Sequence, residues 1–250
     1  MKLVVTILLF ICSRLSAQVD TSFHVYLLAG QSNMAGRGDI DSLSKQTDAR
    51  LLMLNKNNEW VLATDPVHFD KPVAGVGPAI AFAKEMLKVN PAIKIGLVPA
   101  AVGGSSIKVW QQDSSFIGVH PFNDAVARTK LAMKTGVLKG VLWHQGESDN
   151  SPQGAETYID KLSVLISLLR TEFNNESLPF VAGELGYFHK DRINAVLKNL
   201  PALINSTALV TAEGLTANPD NIHFNTASAR LLGIRYATAM QALQLKTNLK

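Results

Sequence analysis

Cysteine is nearly missing from this chain: of 250 residues, Cys12 is the only one. It lies within residues 1–17, where Lys2 precedes an apolar run from Leu3 to Ile11 and the small residues Ser16 and Ala17 come just before Gln18. That is the pattern of a secretory signal peptide, too short for a stable membrane anchor. Cys12 is not preceded by a small residue, which argues against a lipoprotein anchor. Removal of 1–17 leaves residues 18–250 without a thiol, so disulfides and cysteine chemistry are excluded, and the mature protein is expected in a periplasm or outside the cell, off the membrane. Charge is also scarce, at 18% of residues. Without Lys2 and Arg14 the 24 basic residues become 22 against 20 acidic ones, a net +2. No basic cluster interleaved with aromatics exists, so nucleic acid is not an expected partner. Apart from His223, discussed below, the histidines His24, His68, His120, His144 and His189 are scattered without ligand spacing, and no metal site is expected. Internal repeats, low-complexity segments and domain linkers are lacking too, so residues 18–250 read as one domain with ample material for a core.

What is present is organised around Phe23-His24-Val25-Tyr26-Leu27-Leu28-Ala29-Gly30-Gln31-Ser32-Asn33-Met34-Ala35-Gly36. Its first seven residues read as a buried parallel strand, and Gly30 breaks the run in a tight turn. Ser32 thereby stands at the carboxyl end of a strand, where open α/β sheets bind ligands. A serine there either caps a helix or serves as a nucleophile whose own backbone N–H faces a developing oxyanion.

Further along, Arg50 to Asn55 and Trp60 to Ala63 read as short strands flanking a turn, a small excursion from the main fold. A helix opens at Pro78, with Ala79, Phe82, Ala83, Met86 and Leu87 at helical spacing, and Asn90-Pro91 stops it. Strands are expected at Lys94 to Val98, Gly140 to Trp143, Leu178 to Ala182 and Ala208 to Thr211. Helices are expected at Phe122 to Met133, Tyr158 to Phe173, Asp191 to Leu200 and Ala227 to Leu243. Five alternations with short connections predict a parallel sheet of about five strands covered on both faces.

Four polar clusters follow strands, and in a parallel sheet strand ends share one edge. They are Gly30-Gln31-Ser32-Asn33-Met34, Gly103-Gly104-Ser105-Ser106, His144-Gln145-Gly146-Glu147-Ser148 and Asp220-Asn221-Ile222-His223-Phe224. The glycine pair is either a plain turn or a place where backbone N–H groups approach a bound oxygen. Asp220 and His223, three apart, allow the carboxylate to hold Nδ1–H while Nε2 meets a serine hydroxyl. One edge thus collects a nucleophile, a base, an orienting acid and oxyanion donors.

With Val76-Gly77-Pro78, Ile107, Trp110, Trp143 and Leu232-Gly233-Ile234-Arg235-Tyr236-Ala237, these clusters resemble the sialate O-acetylesterase-like carbohydrate esterases of the SGNH hydrolase superfamily, over residues 23 to 240. The first motif is Gly-Gln-Ser-Asn instead of that superfamily's Gly-Asp-Ser, a departure normal for its sugar esterases. The resemblance implies a three-layer α/β/α sandwich and hydrolysis of acetyl esters on sugars, sialic acid or a plant polysaccharide such as xylan, through an acyl-serine and without any cofactor. It makes Ser32 the nucleophile and His223 the general base, with Asp220, Glu147 or both as the acid behind the base. It makes the Ser32 N–H, Gly103, Gly104 and Gln145 the oxyanion donors. Gln31, Asn33 and His144 are expected beside the substrate. Trp110 is expected either to stack on a sugar ring or to close the core as a hydrophobic lid, and Phe69 and Tyr187 are further stacking candidates.

Overall fold

A computed structural model describes residues 19–188 and 192–248. The expected signal peptide with Cys12, His189 and the expected helix start at Asp191 lie outside the described residues. In chain order the elements are β1 (Asp20–Gly30), α1 (Ser32–Ala35), β2 (Leu51–Leu54), β3 (Trp60–Leu62), α2 (Ala79–Val89) and β4 (Lys94–Pro99). There follow α3 (Pro121–Ala132), β5 (Gly136–His144), α4 (Pro152–Glu172), β6 (Phe180–Gly183), α5 (Arg192–Leu197), α6 (Leu200–Leu203), β7 (Thr207–Val210) and α7 (Thr226–Asn248).

The strands form one seven-stranded sheet in the order β3-β2-β4-β1-β5-β6-β7. All neighbours are parallel except β2 and β3. The sheet has two strands more than expected, because the excursion joins its edge: Leu51 pairs with Ile95 of β4, and Leu52 with Leu62 of β3. β5 starts earlier than its apolar run suggests, since Val137 and Leu138 pair with His24 and Val25 of β1. α4 also starts early, where the Ser151 hydroxyl accepts from Gly154 N–H and Pro152 takes the first turn. The helix expected up to Leu200 ends at Leu197, and a separate short helix with Pro201 in its first turn spans Leu200–Leu203.

β1 is central, and its side chains alternate between two cores. Val25, Leu27 and Ala29 pack with α3 and α4, while Tyr26 and Leu28 pack with α2 and α7. Burial on both faces explains why this strand reads as one apolar run. The result is an α/β/α sandwich. From β1 the chain passes to β2 and β4 on one side and later to β5 on the other, so the carboxyl end of β1 is the point where strand order reverses. A crevice opens there between the loops after the flanking strands. Gly30 makes the turn into it at φ 130°, and a Cβ on Gly30 would lie 2.1 Å from the His144 carbonyl oxygen. No other residue fits.

One buried acid outside the crevice has a measurable consequence. Asp65 is 8% exposed, its Oδ1 has no hydrogen-bond partner, and burial pushes its carboxyl up to about 7, against a smaller opposing pull from the Gly77 N–H. Between the ordinary value near 3.8 and about 7 the folded chain holds a proton that the unfolded chain has released. Stability therefore falls as pH rises through that window and is level above it. The ceiling is roughly 4 kcal/mol, from about three pK units at about 1.4 kcal/mol each. Asp65→Asn is expected to raise Tm by about 5 °C at pH 8 and by almost nothing at pH 4. Equal gains at both pH values would show that titration is not the cause.

Candidate active site

The turn after β1 and the loop before α7 meet in the crevice. Ser32 Oγ lies 2.9 Å from His223 Nε2, and His223 Nδ1 lies 2.7 Å from Asp220 Oδ2. An ionised carboxylate only accepts, so Nδ1 carries the hydrogen and Nε2 is left to accept from the serine hydroxyl. Burial pushes the Asp220 carboxyl up, but the His223 N–H, the imidazole and the Ile222 N–H outweigh it and bring the carboxyl down to about 2. Asp220 is thus a fixed anion at any ordinary pH. The two backbone donors come from its own loop, so Asp220 shapes the turn that aims the imidazole it holds. Ser32 is only 7% exposed, whereas the side chains of His223 and Asp220 are 19% and 42% exposed. The nucleophile candidate lies at the floor and its partners form one open wall.

Glu147 does not touch His223. Its Oε1 accepts from Asn33 Nδ2 at 2.6 Å and lies 3.8 Å from His144 Nε2, and its Oε2 has no hydrogen-bond partner. Asn33 also donates to the Ile222 carbonyl and accepts from the Phe224 N–H. Its amide therefore ties the residues on both sides of His223 to the β1 turn. Glu147 secures Asn33, and Asn33 secures the His223 loop; neither is placed to face a substrate.

Four groups were expected to supply oxyanion donors, and their backbone and side-chain bonds separate them. Gly103 N–H is committed to Asp70 Oδ2 at 2.9 Å, within an ion pair that Asp70 makes with Arg37 at 2.7 Å. The Gln145 side-chain NH₂ has two hydrogens and three acceptors around it, namely Gln31 Oε1, the Ser105 carbonyl and Asp149 Oδ2. It is held inward, with Tyr158 Oη 2.6 Å from its backbone carbonyl. The backbone N–H groups of Ser32 and Gly104 take no acceptor among the described residues. Val102 N–H donates to the Gly30 carbonyl, so the two turns that carry these free donors stand side by side. Gly104 adopts φ 85°, a conformation that strains any residue with a Cβ.

Three expected substrate contacts lie instead in the interior. Trp110 is 1% exposed, packs edge-on against Trp143 with centroids 5.1 Å apart, and donates through Nε1 to Ser105 Oγ. It is the lid on the core, not the sugar platform, because its indole N–H finds a partner only below the loop. His144 is fully buried, with Nδ1 3.2 Å from Tyr236 Oη and its ring edge-on to Phe224. Gln31 is 3% exposed and accepts from Gln145 and from Ser148 N–H. These residues set the floor of the crevice. Phe69 and Tyr187 do remain exposed, at 48% and 44%.

Sequence reasoning passed over Asp70, Arg37, Asp149 and Tyr158. Asp149 accepts from both Gln145 and the Ile107 N–H, and its position two residues after Glu147 was a usable signal. Asp70 had none, since its partners Arg37 and Gly103 are 33 residues away on either side. Among the described residues no group of three His, Cys, Asp or Glu is placed to hold a metal ion, and no helix is long and apolar enough to cross a membrane.

This arrangement can lower the barrier for attack by a serine hydroxyl on a carbonyl: a base within reach, an anion behind it and two free N–H donors beside it. Residues 22–242 match the carbohydrate esterase family described as sialic acid-specific acetylesterase. A probable carbohydrate esterase of Arabidopsis thaliana is 35% identical over 241 residues, 86% of this chain and 89% of that protein. An Arabidopsis thaliana crystal structure superposes with a TM-score of 0.80 at 32% identity, covering 88% of this chain and 98% of that one. A carbohydrate acetylesterase of Xanthomonas citri superposes with a TM-score of 0.70 at 22% identity, over 89% of this chain and 56% of that one, a likeness of fold.

Proposed function

The chain belongs to the sialic acid-specific acetylesterase family of carbohydrate esterases, and from that premise we propose that it is an exported serine esterase removing O-acetyl groups from sugars through an acetyl-serine. The observation that carries the reading is the unbroken line from Asp220 through His223 to Ser32, at 2.7 and 2.9 Å. His223 Nε2 takes the Ser32 proton as Oγ attacks the acetyl carbonyl, and the tetrahedral oxygen is met by the Ser32 and Gly104 N–H groups. Each such donor contributes roughly 3 kcal/mol when preorganised. The imidazolium then gives its proton to the departing sugar oxygen, leaving acetyl on Ser32. Water, deprotonated by the same imidazole, releases acetate and restores the enzyme. Export rests on the signal-like pattern of residues 1–17.

Labelling by a fluorophosphonate tests the covalent step. A single adduct on Ser32, found by peptide mass spectrometry and lost when acetylated sugar is in excess, is the expected outcome. A different labelled residue, or none, removes the acyl-serine. Acetate release from acetylated sialic acids, acetylated xylo-oligosaccharides and longer acyl esters then identifies the substrate. Preference for long acyl chains would point to a general esterase.

A further inference from the structure

The loop after β4 makes a tight turn at residues 102–105, and this turn carries the free Gly104 donor. Ser105 N–H donates to the Val102 carbonyl at 3.1 Å, with Gly103 and Gly104 between them. Gly104 stands at φ 85° and Gly103 is not among the residues of positive φ, which makes this a type II turn. The Gly104 N–H therefore belongs to the turn's central peptide. Types I and II share the same ends and differ by reversal of that peptide, in which ψ of the first central residue and φ of the second swing by roughly 150–170°. In one orientation the Gly104 N–H is available to an oxyanion; in the other the Gly103 carbonyl takes its place, and its oxygen repels negative charge.

Packing does little to choose between the two. Adjacent glycines have the widest backbone freedom, and a Cβ on Gly104 would meet only Lys71 Nζ, 4.0 Å away. Hydrogen bonds to the flanking peptides are what hold the turn. Gly103 N–H donates to Asp70 Oδ2 at 2.9 Å on one side, and the Gly104 carbonyl accepts from Ser148 Oγ at 3.1 Å on the other. These two peptides must tilt for the central one to reverse, so fixing both resists the reversal. Asp70 is not free to follow a moving turn. Its side chain is 3% exposed and paired with Arg37, which is 7% exposed and also donates to the Gly36 carbonyl at 2.7 Å. Gly36 caps the short helix that starts at Ser32. Gly103 has to be glycine for the pair to come so near, since a Cβ there would lie 2.5 Å from Arg37 Nη2 and 2.7 Å from Asp70 Oδ2. We infer that Asp70, held by Arg37, and Ser148 are positioning residues that keep the central peptide in its donating orientation. Arg37 sets this turn against the one that carries the nucleophile.

The role rests on the esterase reading, since it serves an oxyanion. Arg37→Met/Asp70→Leu and Arg37→Met/Asp70→Asn leave neither partner as a lone buried charge, and they differ chiefly in the acceptor that Asn keeps for the Gly103 N–H. Acylation and deacylation both pass through an oxyanion. The Leu variant is therefore expected to hydrolyse 4-nitrophenyl acetate with a kcat about thirtyfold below the Asn variant and a KM within about twofold of it. Its Ki for phenylboronic acid, which forms a tetrahedral adduct on an active serine, rises by a similar factor. A merely structural role would lower Tm, or the active fraction titrated by fluorophosphonate, and leave the Ki of the folded enzyme unmoved. Ser148 is exposed, so Ser148→Ala remains a test should the Leu variant fail to fold. It is expected to lower kcat about fivefold with KM and Tm unchanged. Equal kcat in the Leu and Asn variants, a loss confined to KM, or an unaltered kcat in Ser148→Ala overturns the assignment. If the unsubstituted enzyme releases no acetate, the esterase reading fails and this role falls with it, whereas an active parent with equal variants strikes this role alone.

Discussion

Ser32→Ala is expected to lower kcat for acetate release by about 10⁴-fold or more while leaving Tm within a degree or two. The two halves of this expectation have separate sources. The Ser32 hydroxyl makes one contact, with His223 Nε2, so its loss removes the nucleophile without unpairing a structural bond. The turn that carries it is held by other groups, through Gln31 N–H on the His144 carbonyl and Asn33 on the 222–224 loop. The Ser32 and Gly104 N–H donors survive the substitution and account for the small residual rate. Initial rates on an acetylated sugar and a melting curve on the same sample are sufficient. A variant within tenfold of the parent in kcat would remove Ser32 from the chemistry.

The two carboxylates near the base separate more sharply. Asp220→Ala is expected to cost about 10³–10⁴-fold in kcat, because it removes both the acceptor that fixes the His223 tautomer and the anion that stabilises the imidazolium. It also releases the Ile222 and His223 N–H groups, which loosens the turn itself. Glu147→Ala acts at one remove. It frees Asn33 Nδ2, and the His223 loop then drifts against the β1 turn, at a cost within about 10²-fold. The Asp220 carboxyl is held down to about 2, so no limb of the rate profile between pH 4 and 9 reports its titration. Equal losses in the two variants would mean that Glu147 shares the role assigned to Asp220, and a larger loss in Glu147→Ala would reverse the assignment.

The parts of this site that were legible in the chain are those built from local chemistry. A strand ending in glycine puts Ser32 at a sheet edge, and an Asp-x-x-His turn needs only its own backbone to bring the carboxylate to Nδ1. The illegible parts depend on which way a loop side chain turns. Trp110 in the loop after β4, His144 at the end of β5 and Gln145 just after it all stand at the crevice edge of the sheet, yet each side chain finds its hydrogen-bond partner underneath, in Ser105, Tyr236, and the Gln31 and Asp149 pair. No periodicity marks that choice, because a polar residue after a strand satisfies a buried network and a ligand equally well. The sheet was underestimated for a related reason. Leu51–Leu54 and Trp60–Leu62 are short and only partly buried, and it is the pairing of β2 with β4, and of β3 with β2, that joins these two strands to the sheet.

His223 and Ser32 stand 191 positions apart, the one following all seven strands and the other following the first. During synthesis the nucleophile leaves the ribosome early and waits, inert, until the penultimate segment arrives. A polypeptide stopped after β7 has every strand of the sheet and no proton acceptor for its serine. In a refolding experiment, recovery of hydrolysis therefore tracks closure of this long loop and lags behind the circular dichroism signal of the sheet.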